Sequence, residues 1–182
     1  MAKNIILVGS PSVGKSTIAP KLAYLLGYGL LDTDAVLAKR QRMSAGAIYR
    51  QKGEEFFRDL ESKLLEEIAL LKSYVIATGG GMPCHADNWK LLSALGTIVW
   101  IKAETADICH RFMCDRNKLA DHPVLNSALE ADNDDQILLK LKDRVEKLTA
   151  DRAVIYQRAS YVINSSHATP DFCALMVKRF ID

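Results

Sequence analysis

The sequence predicts an α/β protein, a three-layer α/β/α domain built on a five-stranded parallel sheet. Three observations carry that reading. Five short apolar runs alternate with helical patterns, and each run ends in small or polar residues, the rhythm of βαβ units. A glycine-rich turn joins the first run to the first helical stretch. The 182 residues, 49% hydrophobic and 25% charged, suffice for one domain, 1–182, with a full core.

The runs are 4–8, 28–31, 74–77, 97–101 and 161–163, closed by G-S-P-S, D-T-D, T-G-G-G, K-A-E and N-S-S. Between the first two, 17–26 reads as helix and stops at Gly27, a typical C-cap residue. Pro20 falls inside it, where a lost hydrogen bond costs about 3 kcal/mol unless the helix kinks. Over 54–71, Phe57, Leu60, Leu64, Ile68 and Leu71 follow an i, i+3, i+4 progression. Leu138, Leu141, Val145 and Leu148 repeat it, and Phe172, Leu175, Met176 and Phe180 predict a last helix packed on the sheet. Between about 115 and 135 the pattern lapses into a charged stretch too long for an ordinary connection, which predicts a lid or a disordered insertion.

Composition excludes several classes. The net charge of +2, from 24 basic and 22 acidic residues, provides no broad basic field for nucleic acid. No stretch approaches the ~20 apolar residues that span a bilayer. The start M-A-K-N leaves no room for a signal peptide's apolar region, so a cytoplasmic protein, off the membrane and monomeric, is expected. Cys84, Cys109, Cys114 and Cys173 form no C-x-x-C pair and fit no common zinc spacing; they read as buried or indifferent thiols. His167, in a polar turn, reads as surface.

The chemistry centres on Gly9-Ser10-Pro11-Ser12-Val13-Gly14-Lys15-Ser16-Thr17, which matches G-x-x-x-x-G-K-[ST]. Strand, turn and helix supply the context that makes this pattern a phosphate-binding loop. Backbone N–H groups over Ser12, Val13, Gly14, Lys15, Ser16 and Thr17 would face a polyphosphate. Lys15 would add charge at the β- and γ-phosphates, and the Ser16 hydroxyl would sit on Mg²⁺. Asp32 and Asp34 close the second run. As i and i+2 of a strand they would share one crevice, Asp32 nearer the metal and Asp34 orienting an acceptor hydroxyl. Asp is also a common helix cap, the competing reading of D-T-D. Gly79, Gly80 and Gly81 permit close backbone approach and positive φ. Arg58 and Arg152 are each suited to fork onto a carboxylate.

Together these blocks resemble the shikimate kinase family across essentially the whole chain: G-S-P-S-V-G-K-S-T-I, L-L-D-T-D, G-E-E-F-F-R-D-L-E, T-G-G-G, H-P-V-L, D-R-A-V-I-Y and V-I-N-S-S. The resemblance implies a P-loop kinase fold of the nucleoside-monophosphate-kinase type with a closing lid, ATP as co-substrate and Mg²⁺ as cofactor. It implies phosphorylation of the 3-hydroxyl of shikimate, a step toward chorismate and the aromatic amino acids. Asp34, Arg58, the glycine triplet and Arg152 would hold shikimate, with both guanidiniums on its carboxylate. Ser16 and Asp32 would hold the metal, and the loop 164–170 would border the adenine. The chain departs from the family at His122-Pro123-Val124-Leu125, where the lid usually reads Arg-Pro-Leu-Leu. His122 would then meet ATP with an imidazole that is neutral at pH 7 unless phosphate raises its pKa, and Arg116 or Lys118 are candidates to compensate. Asn164 stands where the family often has Asp. A gluconate-kinase-like enzyme and a binding protein with weakened catalysis are the alternatives. A GTPase is disfavoured, because N-K-L-A-D (117–121) places its acid one residue late for N-K-x-D.

Overall fold

A computed structural model describes residues 3–85 and 87–181. In chain order its elements are β1 (Asn4–Val8), α1 (Lys15–Leu26), β2 (Gly29–Asp32), α2 (Thr33–Gln41), α3 (Ala45–Lys52) and α4 (Glu54–Glu67). Then come β3 (Tyr74–Ala77), α5 (Asn88–Leu95), β4 (Gly96–Lys102), α6 (Thr105–Cys114), α7 (Arg116–Asp121), α8 (Asp134–Tyr156), β5 (Tyr161–Asn164) and α9 (Pro170–Ile181). All strand pairs are parallel, in the order β2-β3-β1-β4-β5. Each apolar run is a strand, within one residue of its expected ends.

Alternation along β1 divides the core in two. Ile5 and Leu7 join a cluster with Leu22 of α1, Phe112 of α6, Leu141 of α8 and Val177 of α9. Ile6 and Val8 join the opposite cluster, with Leu37 of α2, Ile48 of α3, Leu64 of α4 and Leu92 of α5. A sheet buried on both faces reads as a continuous apolar run, which is why periodicity alone marked these strands so well. Asn4 is the polar exception. Its fully buried amide donates to Leu71 O (2.7 Å) and Leu95 O (3.1 Å), and its oxygen accepts from Tyr74 N (3.0 Å). It thereby ties the entries to β3 and β4 onto β1.

Four expectations need correction. The stretch near 115–135 is neither irregular nor disordered. It folds into α7, a 3-10 turn at Asn126–Glu130 and the start of α8, with Leu119, Leu125 and Ala128 fully buried. The helix read over 54–71 ends at Glu67, because the chain must reverse through Ser73 (φ 58°) to enter β3. On α8, Leu138 is exposed and Ile137 takes the inward place. On α9, Phe172, Leu175 and Phe180 lie outward, and Cys173, Ala174 and Val177 face the core. Small residues let α9 pack closely on α1, which places the bulky aromatics on the outer side. Phe180 stacks on Tyr161 instead (5.5 Å between centroids). Helix α1 runs unbroken through Pro20 and ends as expected at Gly27, with φ 65°.

Candidate active site

The phosphate loop leaves β1 at the carboxyl edge of the central strand. Gly14 adopts φ 102°, ψ 10°, a left-handed geometry that glycine alone accepts without strain, and this turns the chain directly into α1. Lys15 is buried and folds back, its Nζ donating to Gly9 O (2.8 Å) and Ser10 O (2.9 Å). Burial lowers its pKa to about 8, against the opposing pull of Asp34, so it remains cationic at pH 7. Ser16 and Thr17 are exposed at the start of α1. The side chain of Val13 belongs to the core, so any phosphate contact there is made by its backbone.

Asp32 and Asp34 reach their neighbourhood by a different route from the one expected. They are not alternate residues of a strand. Asp32 ends β2 and caps α2, its Oδ1 accepting from Ala35 N (3.1 Å), while Asp34 lies in the first helical turn. The capping reading of D-T-D is therefore right for Asp32, and it swings Asp34 over the cavity. Burial, and then the charge of Asp32, raise the Asp34 pKa to about 6 against the pull of Lys15 and Arg58.

A cavity of about 390 Å³ opens between the loop and the acceptor-side helices. Lys15, Ser16, Asp34, Arg58, Arg152 and the glycine triplet all line it. The triplet works by lacking side chains rather than by unusual φ: none of the three has a positive φ. A Cβ on Gly79 would stand 2.5 Å from Asp34 Oδ1 and 2.9 Å from Glu61 Oε1. One on Gly80 would stand 3.0 Å from Arg152 Nη1, and one on Gly81 2.5 Å from Arg58 Nη1. Three consecutive missing side chains thus make room for four charged ones. Asp34 Oδ1, Glu61 Oε1 and Arg152 Nη1 are shielded from solvent and find no hydrogen-bond partner among the described residues. Buried polar atoms left without partners are uncommon, and here acceptors and a donor gather around one space. Such a set suits a small ligand that carries both hydroxyl and carboxylate groups.

Arg58 is aimed by its neighbours. Nη1 donates to Glu61 Oε2 (2.7 Å) and Nη2 to Glu54 Oε1 (3.3 Å), while Tyr49 and Phe57 flank the guanidinium at 6.0 and 5.6 Å. Glu61 is fully buried, and its pKa rises to about 7 through burial against the pull of Arg58. Tyr156, also buried, donates its phenol proton to Gly80 O, pinning the triplet to the helix that carries Arg152. Sequence reasoning missed both residues. The signal for Glu61 was an i, i+3 spacing from Arg58; for Tyr156 it was the matching i, i+4 spacing from Arg152.

A second cavity of about 330 Å³ lies across the loop, lined by Gly14, Thr17, Arg111, Ser165, Ala168 and Pro170 among others. It joins the expected 164–170 border to the phosphate loop. Arg111, another residue missed from sequence, spans the two by donating to Ser12 O (2.9 Å) and Ser165 O (3.1 Å). Asp32 lines neither cavity. Asp32 lies near enough to Asp34 for its charge to raise the Asp34 pKa, and the two carboxylates and the Ser16 hydroxyl are oxygen donors of the kind Mg²⁺ takes. The orphaned Asp34 Oδ1 and the repulsion between the two carboxylates are features that a divalent cation would relieve.

His122 lines the first cavity without offering it a charge. Its Nδ1 accepts from Val124 N (3.2 Å) and Leu125 N (3.1 Å), and its ring meets Phe112 edge-on at 6.0 Å. Burial, then the charge of Arg152, lower its pKa to about 3. Its folded pKa is below the unfolded value near 6.5, so it stabilises the fold above pH 6.5 and loses that contribution as pH falls toward 3. A flat ring-proton NMR shift for His122 between pH 8 and 5 is expected; a midpoint between 6 and 7 would contradict it.

Comparison with known proteins agrees with this architecture. The family model described as shikimate kinase matches residues 11–182. A shikimate kinase of Prochlorococcus marinus is 34% identical over 173 residues, covering 95% of this chain and 84% of that protein. One of Caldanaerobacter subterraneus is 34% identical over 177 residues, covering 97% and 95%. Among solved structures, a shikimate kinase from Acinetobacter baumannii in complex with shikimate matches with a TM-score of 0.85 at 27% identity, covering 100% of this chain and 93% of that one.

Proposed function

The chain belongs to the shikimate kinase family, a family of ATP-dependent phosphotransferases, and on that footing we propose how its own residues divide the transfer of ATP's terminal phosphoryl group to the 3-hydroxyl of shikimate. The observation that carries the reading is the grouping of Arg58, Arg152 and Asp34 around the glycine triplet beside Lys15. Two guanidiniums facing one space match a carboxylate, for which their planar donor forks are well shaped. With that end of the acceptor anchored, Asp34 accepts a hydrogen bond from the hydroxyl to be phosphorylated and takes its proton as the new bond forms. Lys15, close enough to Asp34 for each to shift the other's pKa, neutralises charge on the phosphates. The loop from Ser12 to Thr17 holds those phosphates through backbone N–H groups at the start of α1.

Ser16 and Asp32 would hold Mg²⁺, which when bound offsets phosphate charge. The buried walls of the cavity, Phe57 and Phe112 among them, exclude water that would otherwise compete for the phosphoryl group. The active unit is read as a monomer of one domain, working in the ATP-containing cytoplasm. Among the described residues, no helix is long and apolar enough to cross a membrane.

A coupled assay of ADP release tests the reading. Release is expected with shikimate and not with gluconate. Release with gluconate alone would assign the pocket to a different acceptor, and tight binding of shikimate without release would make the chain a binding protein.

A further inference from the structure

We propose that Lys118, rather than His122, is the lid cation that contacts the nucleotide's phosphates in this chain. The inference rests on the kinase reading above and assigns a residue that reading leaves open. Three basic side chains in the lid compete for the role, and the structure separates them.

Arg116 is committed elsewhere. Its Nη2 pairs with Asp134 Oδ2 at 2.7 Å, and it lines neither cavity. His122 already uses Nδ1 as an acceptor for two backbone N–H groups that hold the turn to Leu125. Protonating that nitrogen would set a donor against two donors. Its remaining nitrogen could offer at most a neutral hydrogen bond. Lys118 stands where the two cavities meet, lining both. It is exposed, and among the described residues no carboxylate lies within ion-pair distance of it. It shares the first cavity with Lys15, and its charge is among those that lower the Lys15 pKa, behind burial and Arg152. Like charges so placed favour an anion between them, and a polyphosphate running from the second cavity into the first supplies one.

The helix beneath Lys118 is anchored at both ends. Asp115 Oδ1 accepts from Lys118 N at 3.1 Å, and Leu119 is fully buried. At the far end the Asp121 carboxylate accepts from Ser44 Oγ, from Gly46 N (3.4 Å) and from Arg50 Nη2 (3.3 Å). Arg50 Nη1 donates in turn to Ala120 O (3.3 Å) and Asp121 O (3.0 Å). Helix α7 is thus clasped to α3, which fixes the backbone from which Lys118 reaches the two cavities. A compact ammonium also fits a phosphate as a point charge, without the two-pronged geometry that Arg requires.

The test uses the full chain. Lys118→Ala is expected to lower kcat about 10²-fold, the usual cost of deleting one group that stabilises developing charge, with the shikimate KM within about twofold. By calorimetry, without shikimate, it should weaken MgATP binding about tenfold. Lys118→Arg should recover most of both losses, and Arg116→Ala should behave as wild type. Unchanged MgATP affinity in Lys118→Ala, or an equal loss in Arg116→Ala, would overturn the assignment. The calorimetric arm decides the matter even if the acceptor is not shikimate. Absence of ADP release from wild type with shikimate, by contrast, counts against the kinase reading alone. Because Lys118 is exposed, its variants should fold, and unchanged melting temperatures confirm that.

Discussion

Asp34→Asn is expected to lower kcat by about 10²–10⁴-fold, the range over which a positioned general base contributes. The substitution keeps the shape of the side chain and removes its negative charge and its capacity to accept a proton. The fold should therefore survive, and the effect should lie in kcat more than in either KM. Lys15→Ala is expected to match it at about 10²–10³-fold, with an additional rise in the KM for ATP. Coupled ADP release with both substrates varied is the measurement. A rate within threefold of wild type in Asp34→Asn would remove Asp34 from the chemical step.

Arg58→Ala and Arg152→Ala should each raise the KM for shikimate about 10–100-fold, as expected for charge-assisted bonds worth about 1.5–3 kcal/mol. The KM for ATP should change by less than about threefold. The two variants should differ in stability. Arg58 satisfies Glu61, which is fully buried, so its loss leaves an acid without its ion pair, a far costlier change than losing an exposed pair. Arg152 Nη1 has no such commitment. A lower melting temperature in Arg58→Ala, partly restored by adding Glu61→Gln, is expected. Equal losses of affinity for ATP and shikimate would contradict the carboxylate assignment.

Local patterns were legible in the sequence, and contacts between distant elements were not. The phosphate loop is one continuous nine-residue signal, so its position, the strand before it and the helix after it were all readable. Asp34 was correctly tied to the cavity for the wrong reason: the strand ends one residue after Leu31, and a cap, not a pleat, aims the carboxylate. The glycine triplet was recognised as room for a ligand, yet its space is first used by four charged side chains from three other helices. No sequence rule pairs Gly81 with Arg58 or Gly46 with Asp121. The helices of the lid went unread, and disorder was left open there, because charge masked their periodicity. A single inward residue, Leu119, anchors six residues of α7, too few to register as an amphipathic pattern.

The order of the strands has a consequence for how the protein is made. The loop-bearing strand leaves the ribosome well before its neighbours β3 and β4, which begin at residues 74 and 96. Both sides of the central strand are closed only by chain segments synthesised much later, and such distant pairings are slow to form. A nascent chain of about 90 residues leaves one flank of β1 open, with its four apolar residues Ile5, Ile6, Leu7 and Val8, a template for misassociation. The piece of the molecule that grips the nucleotide is therefore translated before either of the strands that secure it.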